Sequence, residues 1–305
     1  MAIGWTLRDA ILGHPAHVDN PAKPYSLRGP IYVPISGRGT ITRGLTTDTI
    51  RLGQVGNILS FDAGKTYAGM GVAFADYDND GLPDIVVTNL ALEKYALYRN
   101  EGGGQFRYAS LTTGLAALTA HSSGWGAGLY DFDNDGWKDL FVAQSHVLDN
   151  VEKIHSGLRY LEPPGLFRNA AGKFEKADVA GWPAVAGRGA AFGDLNNDGY
   201  VDAVVSVLGG RPLVLLNSGG TNHWLILKLV GVQSNRDGAG AKVKVGKQWA
   251  YATTSGSYLS ASDGRVYFGL RSDRETTVEI VWPGGKKQVL EHVAADRVVT
   301  VKEKE

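Results

Sequence analysis

The 305-residue chain contains no cysteine, which excludes disulfides, thiolate metal centres and cysteine nucleophiles. No apolar run approaches the ~20 residues that a membrane-spanning helix needs. The start, MAIGWTLRDAILGHP, lacks the basic n-region and long apolar stretch of a signal peptide. Net charge is missing too. The 31 Lys and Arg balance the 31 Asp and Glu, so bulk charge draws in neither nucleic acid nor an anionic membrane. There is no G-x-x-x-x-G-K-[ST] phosphate loop, and His121-Ser122-Ser123 lacks the G-x-S-x-G of a nucleophile elbow.

What the chain does have is glycine, 41 residues and about twice the usual share, which suits many tight turns between short strands. It also has three copies of one acidic loop: DYDNDGLPD at Asp76–Asp84, DFDNDGWKD at Asp131–Asp139 and DLNNDGYVD at Asp194–Asp202. Each follows a glycine-led apolar stretch (GMGVAFA, GWGAGLY, GRGAAFG) and enters a β-branched one (IVVTN, LFVAQ, AVVSV). Oxygen donors at positions 1, 3, 5 and 9 with glycine at 6 suit a hard cation taking six to eight oxygens, which means Ca2+. Without a cation, so many carboxylates in nine residues repel one another.

The expected ligands are Asp76, Asp78, Asp80 and Asp84 in the first loop and Asp131, Asp133, Asp135 and Asp139 in the second. The third uses Asp194, Asn196, Asp198 and Asp202, and the carbonyls of Leu82, Trp137 and Tyr200 supply a position-7 oxygen. Asn196 replaces a carboxylate, so the third site is expected to bind most weakly. An EF-hand would place Glu at position 12 and continue as a helix. Position 12 here is Val87, Val142 or Val205, each in a strand-like run, so these are β-turn-β loops.

The loops begin at 76, 131 and 194, intervals close to one propeller blade. After each comes a strand, then Leu97-Tyr98-Arg99-Asn100, Leu166-Phe167-Arg168-Asn169 or Leu215-Leu216-Asn217. In the first two copies a glycine turn and a further strand follow, giving four strands per unit, as in a blade. The longer second interval reflects an insertion at 146–164, where Leu148, Val151, Ile154 and Leu158 fall near helical period and predict a short amphipathic helix. Residues 1–65 are proline-rich between Pro15 and Pro34, where an extended segment is expected, and the strands after it are expected to be a degenerate blade, a cap or a strand that completes another blade. Residues 66–220 hold the three blades. From 221 to 305 a dense series of strands separated by Gly and Asp turns predicts a small β-sandwich or barrel.

The stretches GVAFADYDNDGLPDIVVTN, GAGLYDFDNDGWKDLFVAQ and GAAFGDLNNDGYVDAVVSV resemble FG-GAP (VCBS-type) repeats. The tail, with NHWLILKLVG, SNRDGAGAKVKV, SGSYLSASDGRVYFGL and VEIVWPGG, resembles the ASPIC/UnbV module of the cartilage acidic protein family. The resemblance implies calcium-bearing propeller blades followed by a β-domain. It is specific for fold and cation and poorly specific for function. Relatives usually carry enough repeats to close a ring, whereas three loops are visible here.

The expected fold is therefore all-β: propeller-like blades, incomplete or completed by oligomerisation, plus a small C-terminal β-sandwich or barrel. The expected function is a secreted, calcium-stabilised interaction or self-assembly module with a protein or carbohydrate ligand, in an extracellular or periplasmic setting. Two alternatives stand beside it: a biosynthetic or carbohydrate-active enzyme with a site at the propeller mouth, and a subunit of an extracellular filament or adhesive assembly. The enzyme case is the weaker. His14, His17 and Asp19 give H-x-x-H-x-D without a third histidine nearby. His146 and His155 flank the insertion, Ser257 sits in the tail's structural pattern, and calcium occupies the loop carboxylates. Trp5, Trp125, Trp137 and Trp182 read as packing anchors before sugar platforms.

Overall fold

The computed structural model describes residues 67–304 in full, together with the backbone of four short strands: β1 (Gly39–Arg43), β2 (Thr46–Ile50), β3 (Ser60–Phe61) and β4 (Lys65–Thr66). β1 pairs with β2 and β3 with β4, both antiparallel. The H-x-x-H-x-D segment, Trp5, the proline-rich stretch and the packing of a cap over residues 39–62 lie outside the described residues.

Three blades follow. The first runs β5 (Gly71–Ala75), β6 (Asp84–Thr88), β7 (Ala96–Gly102) and β8 (Gln105–Tyr108), an antiparallel meander in chain order. The second runs β9 (Gly124–Tyr130), β10 (Asp139–Gln144), β11 (Gly165–Ala170) and β12 (Lys173–Ala177). The third stops at three strands: β13 (Gly187–Gly193), β14 (Asp202–Val207) and β15 (Leu213–Leu215). Among the described residues none of these sheets closes into a ring.

The first strand of each blade is innermost, and β9 packs against both β5 and β13. That explains the glycine-led stretches. A Cβ on Gly71 would stand 1.8 Å from the Trp125 carbonyl, and one on Gly126 would stand 2.4 Å from the Ala190 nitrogen. Only glycine lets the backbones of neighbouring blades approach this closely. Behind the inner strands, Val86, Tyr95, Leu97, Leu140 and Phe167 fill the space between the first two blades. Phe141, Ala190, Phe192 and Val205 fill the next interval.

The tail is a two-sheet sandwich. One sheet holds β16 (His223–Val230) between β19 (Val266–Arg271) and β22 (Arg297–Lys302), with β16 and β22 parallel. The other orders β18 (Gln248–Tyr251), β17 (Lys242–Val245), β20 (Glu275–Val281) and β21 (Lys287–Ala294). Leu225, Leu227, Val243, Phe268, Ile280 and Trp282 form the core between the sheets. The segment 253–263 leaves the sandwich and lies along the inner strands. There the Val72 N–H donates to Ser257 Oγ at 2.9 Å and the Asp263 N–H to the Phe192 carbonyl at 2.9 Å. Ser257 is thus a structural contact.

Among the described residues there are two short helices, α1 (Leu115–Leu118) and α2 (Val151–Ile154). The insertion holds the short helix that its spacing predicts, reduced to a single turn. Val151 and Leu158 pack on Ala91, while Leu148 and Ile154 are exposed. The chain turns back around Ser156-Gly157, where Leu158 N–H bonds the His155 carbonyl and breaks the helical period.

Candidate metal centre

Each acidic loop joins the first two strands of its blade, and the sequence dictates its shape. Position 4 (Asn79, Asn134, Asn197) and position 6 (Gly81, Gly136, Gly199) adopt left-handed backbone, with φ of 60°, 55° and 60° and of 89°, 87° and 88°. Asparagine and glycine are the residues that tolerate it. The position-1 carboxylate is folded inward and accepts the N–H groups of positions 5 and 6. In the second loop Asp131 takes Asp135 N–H at 2.9 Å and Gly136 N–H at 2.7 Å, and Asp76 and Asp194 do the same in theirs. The position-9 carboxylate accepts from position 2 and from the third strand, as Asp139 does from Phe132 at 3.2 Å and Asn169 at 2.7 Å. Position-5 carboxylates accept the N–H of Leu82, Trp137 and Tyr200 at 2.8, 3.0 and 2.9 Å.

Asp76, Asp78 and Asp84 bring carboxylate oxygens within 4.8 Å of one another, as do Asp131, Asp133 and Asp139, and each set could hold a metal ion. In the third loop Asp194 and Asp202 keep the same hydrogen bonds, but the middle side chain is Asn196, which donates to Asp198 at 2.8 Å. Burial pushes Asp84 and Asp131 up to about 7 and Asp139 to about 8, because a carboxylate removed from water resists ionising and its neighbouring carboxylates add repulsion. Asp78 Oδ1 is buried with no hydrogen-bond partner. A buried carboxylate oxygen without a donor is costly, and a cation at the centre of its cluster would satisfy it. The donor set therefore fits a hard divalent ion.

Three groups of residues around the loops were not legible as site residues. Arg99 bonds Asp78 at 2.5 Å and Asp80 at 2.7 Å, and Arg168 bonds Asp133 at 2.8 Å and Asp135 at 2.9 Å. Both arginines belong to the repeated Leu-aromatic-Arg-Asn landmark, and the third blade has Leu216 in that place. The following asparagines tie blades together: Asn169 Nδ2 donates to the Tyr77 carbonyl at 2.8 Å and Asn217 Nδ2 to the Phe132 carbonyl at 2.7 Å. Finally, the C-terminal sandwich touches every loop. Lys242 donates to the Gly81 carbonyl at 2.8 Å, Arg271 N–H to the Asn134 carbonyl at 3.1 Å and Arg265 to the Asp194 carbonyl at 2.8 Å.

The remaining candidates fall elsewhere. Trp125 is buried, donates to the Ser145 carbonyl at 2.8 Å and lies under Arg188; Trp182 packs edge-on to Phe141. Both are packing anchors. His146 accepts the Leu148 N–H, and the Ser123 hydroxyl accepts that of Ala91.

Two families match the chain: the FG-GAP-like repeat over residues 76–142, and ASPIC and UnbV over residues 231–305. Cartilage acidic protein 1 from Xenopus tropicalis is 27% identical over 244 residues, covering 72% of this chain and 34% of that protein. The Mus musculus protein of the same name is 27% identical over 269 residues, covering 77% and 36%. The chain thus spans about a third of the length of these relatives. Among solved structures, one described as the recognition of non-reducing terminal N-acetylglucosamine by an Agrocybe aegerita lectin aligns at 17% identity, covering 82% of this chain and 73% of that one, with a TM-score of 0.24. With acidic loops at the head of each blade and a sandwich behind them, the chain matches the FG-GAP-like repeat over its blades and ASPIC and UnbV over its tail, and is similar to cartilage acidic protein 1.

Proposed function

We propose that this chain is an extracellular interaction and self-assembly module whose blades are stabilised by calcium in the three acidic loops. The observation that carries the reading is the buried, donorless Asp78 Oδ1 inside a cluster of converging carboxylates. In the first two loops the side chains of positions 1, 3, 5 and 9 would hold the ion with the position-7 carbonyl. In the third, Asn196 would stand in for one carboxylate. The ion would supply the counter-charge that lets the buried carboxylates ionise. The protein's own part is to hold the first and ninth carboxylates in place with backbone N–H groups and to present the loops in one row. The name of its relatives refers to cartilage, which favours a setting outside the cell, where calcium is abundant enough for modest sites.

The test is a thermal melt of the full chain in millimolar calcium and in excess chelator. Binding to the folded state alone stabilises by about 2.7 kcal/mol per site at a hundredfold excess over Kd. The melting temperature should therefore rise by several degrees with calcium. Superimposable melts would overturn the reading.

A further inference from the structure

We propose that the groove between the second and third blades is a socket for a strand donated by a second copy of this chain, residues 29–37, with Tyr32 as the inserted aromatic residue, a contact that rests on the self-assembly reading above.

The socket is defined by what fills its counterpart. Between the first two blades, Phe174 of β12 is buried, stacks on Tyr77 with ring centroids 5.9 Å apart and shares a core with the fully buried Leu115. Pairing sets Phe174 opposite Asn169, whose Nδ2 donates to the Tyr77 carbonyl. The third blade repeats this frame. Asn217 Nδ2 donates to the Phe132 carbonyl, and Leu215 takes the place of Phe167. Among the described residues this blade has no fourth strand, so no counterpart of Phe174 reaches Phe132. What remains is a groove of about 460 Å³ walled by Phe132, Phe141, Leu166, Trp182, Ala203 and Leu215. Such walls select an apolar ring. The Arg168–Asp133 pair at its rim belongs to the second acidic loop and takes no part.

The register selects the donor. β11 and β12 pair Asn169 with Phe174, Arg168 with Glu175 and Leu166 with Ala177. In the third blade Leu216 and Val214 stand where Arg168 and Leu166 do, and they are 60% and 53% exposed. An incoming strand therefore needs an aromatic residue opposite Asn217 and aliphatic ones opposite Leu216 and Val214, where apolar cross-strand pairs form. Pro30-Ile31-Tyr32-Val33-Pro34-Ile35, outside the described residues, carries this pattern: Tyr32 falls opposite Asn217, Val33 opposite Leu216 and Ile35 opposite Val214. In the same register Trp5 or Tyr25 would set Arg8 or Arg28 against Val214, and Phe61 is already held in β3. The prolines fit as well. Phe174 N–H points away from β11, to the Thr113 carbonyl at 2.9 Å, so residues in its phase donate nothing to the ladder. Pro30 and Pro34 share the phase of Tyr32 and remove no ladder bond.

The donor acts in trans. The chain joins the row at β5, with β9 between it and the third blade, and the hairpins β1–β2 and β3–β4 fold its reach back before that point. The contact is heterologous, so copies join head to tail.

Light scattering of the full chain in calcium, with and without a synthetic peptide of residues 29–37, tests the socket. Excess peptide should displace the donated strand and return the mass to the 32.6 kDa monomer. The Tyr32→Ser peptide should need about tenfold more or fail, as the loss of an anchoring ring implies. In the full chain, Tyr32→Ser should be monomeric with its circular dichroism unchanged, and Tyr32→Phe should assemble like the wild type. Assembly that survives Tyr32→Ser, or a Tyr32→Ser peptide that competes as well as the native one, would overturn the donated strand and leave self-assembly standing. A monomeric wild type would overturn both. Assembly that responds to Tyr32 as expected, with melts insensitive to chelator, would sink the calcium reading alone.

Discussion

Asn79, at the fourth position of the first acidic loop, donates from Nδ2 to the Gly136 carbonyl of the second loop at 2.9 Å. Asn134 repeats the bond to Gly199 of the third loop at 3.3 Å. The left-handed backbone that shapes each loop thus also aims its asparagine at the next one. The loops form a chain of linked turns.

Replacing Asn79 by alanine should therefore cost twice: about 1 kcal/mol because alanine lacks the polar side chain that lets asparagine tolerate left-handed backbone, and about 1 kcal/mol for the lost hydrogen bond. The glycine variant removes the bond and relieves the backbone, so it should cost about half as much. Chemical denaturation of the three proteins decides it. Equal stability of the alanine and glycine variants would refute the backbone share.

The arginines bear on the expected order of the sites. The third loop has one carboxylate fewer, but the first two carry Arg99 and Arg168 across their third and fifth positions, and Leu216 occupies that place in the third blade. Lys138 adds a further positive charge beside Asp76, where it opposes the upward shift of that carboxyl. Arg168→Leu should lower the melting temperature in chelator, because repulsion within the second loop is then uncompensated. The same variant should tighten calcium binding, because the ion no longer competes with a guanidinium. Calorimetric titration beside melts in chelator measures both signs. An arginine with only a packing role would move stability and leave affinity alone.

The blades and the loop ends were readable because each imposes a local rule: glycine where backbones touch, asparagine and glycine where φ is positive, valine at position 12 entering a strand. The FG-GAP and ASPIC/UnbV resemblance came from those same residues. What escaped was contact between distant segments. Arg99 was visible as part of a repeated landmark, but its reach to Asp78 depends on how β7 lies beside the loop. Lys138 looked like one more loop residue, and its burial follows from packing against the first blade. The insertion's helical spacing located a short helix, but of its four apolar residues only Val151 and Leu158 pack, while Leu148 and Ile154 are exposed.

Glu162 gives the fold a pH dependence away from the loops. Burial pushes its carboxyl up to about 7 from an ordinary 4.5, although the Ser123 N–H donates to it at 3.2 Å. A folded-state value above the unfolded one means that the protonated form is favoured by folding. Its contribution is complete below about 4.5 and is lost as pH rises through about 7, by an amount of order 3 kcal/mol. Glu162→Gln should match the wild type near pH 5 and melt several degrees higher at pH 8. A constant offset across that range would show that the carboxyl does not titrate there.

Glu303 should behave in the opposite sense. Its carboxylate accepts the N–H groups of Val232, Gln233 and Ser234 at 2.8, 2.9 and 2.8 Å, which hold it down to about 2. Its contribution is present above the ordinary 4.5 and disappears as pH falls toward about 2. Glu303→Gln should melt below the wild type at neutral pH, with the gap narrowing in acid. Melts that stay parallel down to pH 3 would exclude this role.

The last prediction follows from the third blade's missing strand. In the first two blades the chain turns back after Asn100 or Asn169 and adds β8 or β12. After Asn217 it runs instead through Gly219-Gly220 into β16 of the sandwich, which leaves β15 as an edge within the described residues. Leu195, Leu208, Val214 and Leu216 are exposed on that blade. An open edge beside exposed aliphatic side chains favours pairing with another chain. If the contact is heterologous and closes, it makes a ring; otherwise it makes a filament. In calcium, light scattering should give a mass above the 32.6 kDa monomer. The double variant Val214→Lys and Leu216→Lys places charge on the edge and should return the protein to monomer without lowering its melting temperature by more than a few degrees. A wild type that is monomeric at micromolar concentration, or a double variant that assembles as before, would assign the exposed face to something other than self-association.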